Sequence, residues 1–229
     1  MNNPSMTDSP VLSVITDRRN GPLIAQVARL WIKPDDLLMD ATWGRGLWWV
    51  DYKHPEHLFI RHDKYTLDGV DYHELPEGNE SVDVIAYDPP YSSAGNLETS
   101  TLDRVKQDLS GIVSDAAPTD FHDRFGLTSQ KGYKAIFADV AGGIGECARV
   151  LNRGGRLLCK VMDYVESGQM RWGLRNAEDA ALAAGLVQVD EFIHHSGTGP
   201  QPKVNLDGTP RRQVHSRRSP SVLTVFAKP

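Results

Sequence analysis

Three short apolar runs, each followed by an aspartate, constrain this chain more than any other feature. Leu37-Leu38-Met39 runs into Asp40, Leu58-Phe59-Ile60 ends near Asp63, and Val82-Asp83-Val84-Ile85-Ala86 ends at Asp88. Such runs read as buried parallel strands, because a strand covered on both faces is apolar throughout rather than alternating. In parallel sheets the carboxyl ends of the strands are where ligands bind, so acids in those positions are candidate functional groups.

Helical patterns alternate with the strands. Gly21-Pro22 introduces Leu23, Ile24, Val27, Ala28 and Trp31 at the spacing of one helix face, with Pro34 as the stop. Ile136, Val140, Ile144, Ala148 and Leu151 describe a long helix over 130–151 that Gly154-Gly155 is expected to end. A strand over 156–161, a helix over 177–184 closed by Gly185, and strands over 186–193 and 222–226 follow. The alternation predicts an α/β doubly wound architecture with a mostly parallel sheet.

Two stretches break the alternation. Residues 92–130 follow the third strand with little regular pattern and read as a substrate-side insertion, and residues 196–219 form a second irregular loop. The polar residues 1–19 are expected to be a mobile or irregular arm before a single domain over 20–229.

Composition narrows the classes. No stretch approaches the roughly 18 consecutive apolar residues of a bilayer span, and Met1 to Asp17 lacks the apolar core of a signal peptide, so the expectation is a soluble, cytoplasmic protein. Cys147 and Cys159 sit in apolar surroundings with no neighbouring ligand at metal-binding spacing, so buried thiols and no metal centre are expected. The net charge is -5. Between Lys203 and Arg218, however, five basic residues face one acid, giving that segment +4 and leaving -9 for the rest. Arg211, Arg212, Gln213, His215, Arg217 and Arg218 are therefore candidates for contact with a polyanion, a solvated loop being the alternative.

Asp40-Ala41-Thr42-Trp43-Gly44-Arg45-Gly46 directly follows the first strong strand. Glycines there allow close approach to a ligand, but Trp49 stands where a dinucleotide fingerprint would have its third glycine, and no Gly-Lys-Ser/Thr is present. A cofactor without phosphates is preferred, Asp40, Thr42, Gly44 and Gly46 being candidates to hold it. Asp63 lies 19 residues beyond Gly44, near the spacing of about 20 at which a second-strand acid reaches a ribose. Asp71 stands in the following loop, where it could accept from an adenine amino group. Either acid alone would read as a solvated surface group.

Asp88-Pro89-Pro90-Tyr91 is the most specific motif. An exocyclic amine is a poor nucleophile because its lone pair is delocalised into the ring. A carboxylate at Asp88 and the Pro89 carbonyl can accept both amino hydrogens and orient the nitrogen for in-line attack. Pro90 stiffens that acceptor edge, since consecutive prolines have fixed φ and no N–H. Tyr91 offers a ring for base stacking, a contact worth roughly 1–3 kcal/mol. Lys160 and Asp163 close another strand and either line the cleft or form a structural ion pair, while Trp48-Trp49 and His194-His195 read as packing and strand-end residues.

On these motifs the chain resembles the class I S-adenosylmethionine-dependent amino-methyltransferases. The D-x-x-x-G-x-G loop is similar to their first motif, and Asp-Pro-Pro-Tyr to the catalytic motif of N6-adenine DNA methyltransferases. Asp123-Arg124-Phe125-Gly126-Leu127, residues 149–156 and residues 211–218 look like segments of small DNA-methylase-like proteins of actinobacteria and their phages. The resemblance, spanning about residues 20 to 229, implies a seven-stranded sheet with an antiparallel last strand. It also implies S-adenosyl-L-methionine as cofactor: Asp40, Gly44 and Gly46 would flank its methionine part, Asp63 its ribose and Asp71 its adenine. Asp88 to Tyr91 would face the target base, giving N6-adenine methylation of DNA as the expected activity. Methylation of RNA, at guanine N2 or adenine N6, and a catalytically idle nucleic-acid-binding module are the alternatives.

Overall fold

The computed structural model describes residues 10–90, 132–197, 209, 212–216 and 218–229. Its strands are β1 (Val14–Thr16), β2 (Leu38–Asp40), β3 (Phe59–Arg61), β4 (Val82–Tyr87), β5 (Leu151–Val161), β6 (Tyr164–Glu166), β7 (Gln169–Arg171), β8 (Val187–His195) and β9 (Ser221–Ala227). The α-helices are α1 (Gly21–Trp31), α2 (Tyr133–Val150) and α3 (Gly173–Ala183). Seven strands form one sheet in the order β1-β8-β9-β5-β4-β2-β3, and β6 and β7 pair as a separate hairpin. Every adjacent pair in the large sheet is parallel except the two made by β9. The doubly wound, mostly parallel sheet with an antiparallel last strand is thus the architecture expected.

Helices cover both faces because the central strands are apolar on both. Leu38, Val84, Ala86, Leu158, Leu223 and Val225 pack with Leu23, Ile24, Val27 and Ala28 of α1 on one side. Met39, Ile85, Tyr87, Leu157, Cys159 and Phe226 pack with Ile136, Val140, Ile144 and Cys147 of α2 and Ala177 and Ala181 of α3 on the other. Both cysteines are free and buried, as expected. Gly143, inside α2, permits a close approach: a Cβ there would lie 2.1 Å from the Tyr87 hydroxyl and 2.9 Å from the Tyr72 ring. Among the described residues no helix is long and apolar enough to cross a membrane.

Three features depart from the sequence expectation. Part of the arm read as irregular is a strand: Val14, Ile15 and Thr16 pair in parallel with Ile193, His194 and His195, supplying the seventh strand of the sheet. Three residues are too few to announce themselves by periodicity, and the exposed edge of β8 stabilises them. The long helix ends at Val150, before Gly154-Gly155, and β5 begins immediately. Leu151 is opposite Val82 but Arg156 is opposite Val84, so the two glycines occupy an irregularity in the strand rather than a helix cap. Finally, α3 starts at Gly173, four residues before the apolar pattern, where its Leu174 amide donates to Asp163 Oδ1 at 3.1 Å. The insertion expected at 92–130 lies outside the described residues, as does much of the loop over 196–219.

Candidate active site at the carboxyl edge of the sheet

A cavity of about 220 Å³ opens at the carboxyl ends of β2, β3 and β4, lined by Asp40, Thr42, Gly44, Asp63, Asp88 and Pro90 among others. Its floor is the loop after β2. Asp40, only 3% exposed, organises this loop. Its Oδ1 accepts from the Thr42 amide at 2.9 Å and its Oδ2 from the Trp49 indole N–H at 2.6 Å, folding the segment back on its own start. The turn needs left-handed backbone at Gly44 (φ 54°) and Gly46 (φ 67°), and a Cβ on Gly46 would lie 2.4 Å from the Trp43 ring. Burial pushes the Asp40 carboxyl up to about 7; the Trp49 and Thr42 hydrogen bonds oppose the rise and the nearby Asp88 charge adds to it.

Asp63 also lines the cavity, and its carboxylate ties two loops together. Oδ2 accepts from the Gly44 amide at 2.7 Å, while Oδ1 accepts from the amides of Tyr65 at 2.9 Å and Thr66 at 2.7 Å. Carboxylate oxygens accept more than one hydrogen, so Asp63 keeps capacity toward a ligand, but here it also braces the glycine loop. Asp71 does not line the cavity. It accepts from Lys64 Nζ at 2.7 Å and lies 2.8 Å from His73 Nδ1. Burial works to raise its carboxyl, but Lys64 and His73 outweigh that and bring it down to about 2. The next residue, Tyr72, reaches the cavity wall instead, its hydroxyl donating to Asp139 Oδ2 at 2.6 Å.

Asp88 stands where β4 ends. Its amide donates to Thr42 Oγ1 at 2.8 Å, so the acceptor edge and the glycine loop share a hydrogen bond. Its carboxylate is held from two sides. Oδ2 accepts the Trp48 indole N–H at 2.9 Å, and Oδ1 lies 3.7 Å from Lys160 Nζ. The side chain is 23% exposed, while its Oδ1 is shielded from solvent. Burial raises the Asp88 carboxyl above its ordinary value, with Lys160 first and Trp48 second restraining the rise. Pro89 is buried and Pro90 lines the cavity; Tyr91 lies outside the described residues.

Sequence reasoning passed over two functional neighbours. Trp48 and Trp49 read as packing residues, yet both indole N–H groups end on the acids of the site. The signal was partial: a buried tryptophan needs an acceptor, but the nearest acid in sequence is Asp51, and the partners are Asp88 and Asp40. Lys160 pairs with Asp88, not with Asp163, which caps α3.

The described residues that end the basic segment approach the same edge of the sheet. Because β9 is antiparallel and Val222 is opposite Val161, residues just before β9 lie where β5 ends, beside Asp88. His215 Nε2 is 2.6 Å from the Gly168 carbonyl of the β6–β7 turn, and Gln213 Nε2 donates to the His215 carbonyl at 2.8 Å. Arg212 is exposed. The Arg218 and Arg175 guanidinium carbons lie 5.4 Å and 4.9 Å from the ring centroid of Trp172, which is 40% exposed. Arg211 and Arg217 lie outside the described residues.

No protein-family model matches the chain, and no curated protein matches it. Solved structures share part of its backbone course. A Haloferax volcanii protein provisionally described as a methyltransferase, solved with the Trm112 methyltransferase activator, aligns at 16% identity and TM-score 0.48 over 92% of this chain and 89% of its own. A Bacillus halodurans protein, also provisionally described as a methyltransferase, aligns at 14% identity and TM-score 0.48 over 91% and 98%. A provisionally described DNA modification methylase of Thermus thermophilus aligns at 16% identity and TM-score 0.41 over 70% and 52%. This chain therefore spans about half the length of the Thermus protein, which has also been solved with S-adenosyl-L-methionine. These are likenesses in backbone course alone.

Proposed function

We propose that this protein transfers a methyl group from S-adenosyl-L-methionine to an exocyclic amino nitrogen of a nucleic-acid base, with N6 of adenine in DNA as the preferred target. The observation that carries this reading is the cavity shared by the glycine loop after β2 and the Asp88-Pro89-Pro90 edge after β4. Its acids suit a ligand bearing a sulfonium and an ammonium: Asp40, Asp63 and Asp88 all line it. Asp40, Thr42, Gly44, Gly46 and Asp63 would hold the methionine and ribose parts. Tyr72, from the cavity wall, is better situated than Asp71 to meet the adenine. Bound there, the cofactor supplies an electrophilic methyl group.

The chain's own residues prepare the nucleophile. Asp88 Oδ2 and the Pro89 carbonyl accept the two amino hydrogens, which localises the nitrogen lone pair along the line of attack. Trp48 keeps Oδ2 from rotating away. The methylated nitrogen is cationic and acidic, so it sheds a proton that Oδ2 of Asp88 can take. A base in duplex DNA must first leave its stack, at a cost of a few kcal/mol that stacking on Tyr91 would offset. Arg211, Arg212, Gln213, His215, Arg217 and Arg218 would contact the backbone beside the cavity.

The test is incubation with methyl-labelled cofactor and separate DNA and RNA pools, followed by identification of the modified nucleoside by mass spectrometry. N6-methyladenine in DNA is the expected product. Label in RNA alone would replace the DNA assignment, and binding without transfer would favour the idle module. Asp88→Ala should abolish transfer and leave cofactor affinity within about threefold, since less than one hydrogen bond's worth of binding is lost.

A further inference from the structure

Lys160 is 4% exposed, in the middle of the sheet between β4 and β9. An ammonium taken out of water to that degree requires a compensating charge, and the lysine stem could otherwise have been an apolar residue at no loss to the core. Its Nζ lies 3.7 Å from Asp88 Oδ1 and 5.9 Å from the Trp48 ring centroid. The two groups that grip Asp88 therefore also approach each other, with the indole N–H on one oxygen and the cation beside the second.

The chemistry assigned to Asp88 is served best by the ionised form. A protonated carboxyl keeps a carbonyl acceptor, but a weaker one than the carboxylate, and it cannot take the proton shed after transfer. Its surroundings work against ionisation: the site is desolvated, and Asp40 on β2 is a second acid in the same cavity. The Cys159 thiol on β5 is buried and contributes no compensating positive charge. His194 on β8 accompanies Lys160, and its Nε2 is 3.0 Å from the Asp17 carbonyl, with burial and the Lys160 charge both favouring its neutral form. Arg45 and Lys64 also line the cavity, Lys64 with its ammonium on Asp71, whereas Lys160 is the cation seen to pair with Asp88 itself.

We infer that Lys160 is a positioning residue of the transfer reaction, whose ammonium keeps Asp88 ionised at neutral pH and turned so that Oδ2 faces the target amine. The inference rests on the reading of Asp88 as the amine acceptor. Lys160 is not among the residues that line the cavity, so its role is to act through Asp88. The single residue thereby sets the acid limit of the enzyme.

The experiment uses the full chain, S-adenosylmethionine and an adenine-containing oligodeoxynucleotide, with single-turnover rates measured across pH. Lys160→Met should move the acid limb upward by about one pH unit or more, one unit corresponding to a tenfold change in the ionisation constant. The rate deficit should shrink as pH rises, and Lys160→Arg should restore the limb toward its original position. An unmoved limb, or a deficit equal at every pH, overturns the inference. Unfolding midpoints test the same pair without catalysis. Lys160→Met should destabilise most at neutral pH and least in acid, and adding Asp88→Asn should remove that pH dependence. Should Lys160→Met fail to fold alone, rescue by Asp88→Asn carries the same meaning and absence of rescue overturns it. If the wild-type protein transfers no methyl group while the stability cycle behaves as stated, the proposed reaction fails and the Lys160–Asp88 relation stands.

Discussion

The indole N–H of Trp48 donates to Oδ2 of Asp88 at 2.9 Å, joining the loop after β2 to the end of β4. One face of the candidate cofactor cavity thus orients the acid on the other. Trp48→Phe keeps a ring but removes the donor to a charged acceptor, a bond worth about 1.5–3 kcal/mol. Single-turnover methyl transfer should fall about ten- to a hundredfold, with a smaller change in cofactor Kd by calorimetry. A wild-type rate in this variant would show that Asp88 needs no such orientation.

On the proposed reading, cofactor binding should depend on pH through Asp40. Its carboxyl is neutral below about 7 and offers a counter-charge to a cationic ligand only above it. Affinity for S-adenosylmethionine should therefore rise between about pH 6 and pH 8, on either side of that value, and Asp40→Asn should flatten the profile in titration calorimetry. The stability effect has the opposite slope. A folded-state value raised above the ordinary 3.8 means that this contribution is complete in acid and is lost as pH climbs through about 7.

His62 offers a separate titration on the far side of the loop. Its Nδ1 lies 2.5 Å from Asp68 Oδ2 and its Nε2 2.8 Å from Glu77 Oε1, so both ring nitrogens face carboxylates and the imidazolium satisfies both. Burial works to lower the pKa, but Glu77 and Asp68 prevail and raise it. The stabilisation is present below the ordinary value of 6.5 and is lost as pH rises through the higher folded value. His62→Gln should cost about 1–3 kcal/mol near pH 6 and less near pH 9, as read from urea unfolding.

Nucleic-acid binding should depend on the basic edge. Arg212→Ala with Arg218→Ala should lower the slope of log affinity against log salt by about 1.5–2, for two lost phosphate contacts. Trp172→Ala should weaken an oligonucleotide by about tenfold if a base stacks on the ring, since such contacts are worth roughly 1–3 kcal/mol. Fluorescence anisotropy at several salt concentrations measures both. An unchanged slope would mark the arginines as a solvated edge.

The strands that lead into the cavity were legible because burial leaves short, mostly apolar runs in β2 and β4, and an acid follows each of the three runs closely. α1 was equally plain, with Pro22 near its start and Pro34 after its end. Asp88-Pro89-Pro90 announced an acceptor edge because prolines leave few other reasons for carbonyls to cluster at a strand end. That Asp71 turns its carboxylate to Lys64 and His73 was not legible, because the pairing depends on how its loop folds.

By itself the sequence determined the alternation of strands and helices, the doubly wound class, and which acids end which strands, since those follow from local periodicity and from the chain's short-range stereochemistry. Only the tertiary structure decided that Val14–Thr16 completes the sheet, that Trp48 and Trp49 serve Asp88 and Asp40, and that Lys160 chooses Asp88 over Asp163. Each of those pairings joins residues whose meeting depends on strand order and register. Buried polar groups must find partners, but which partner lies within reach is settled by the packing of the whole sheet.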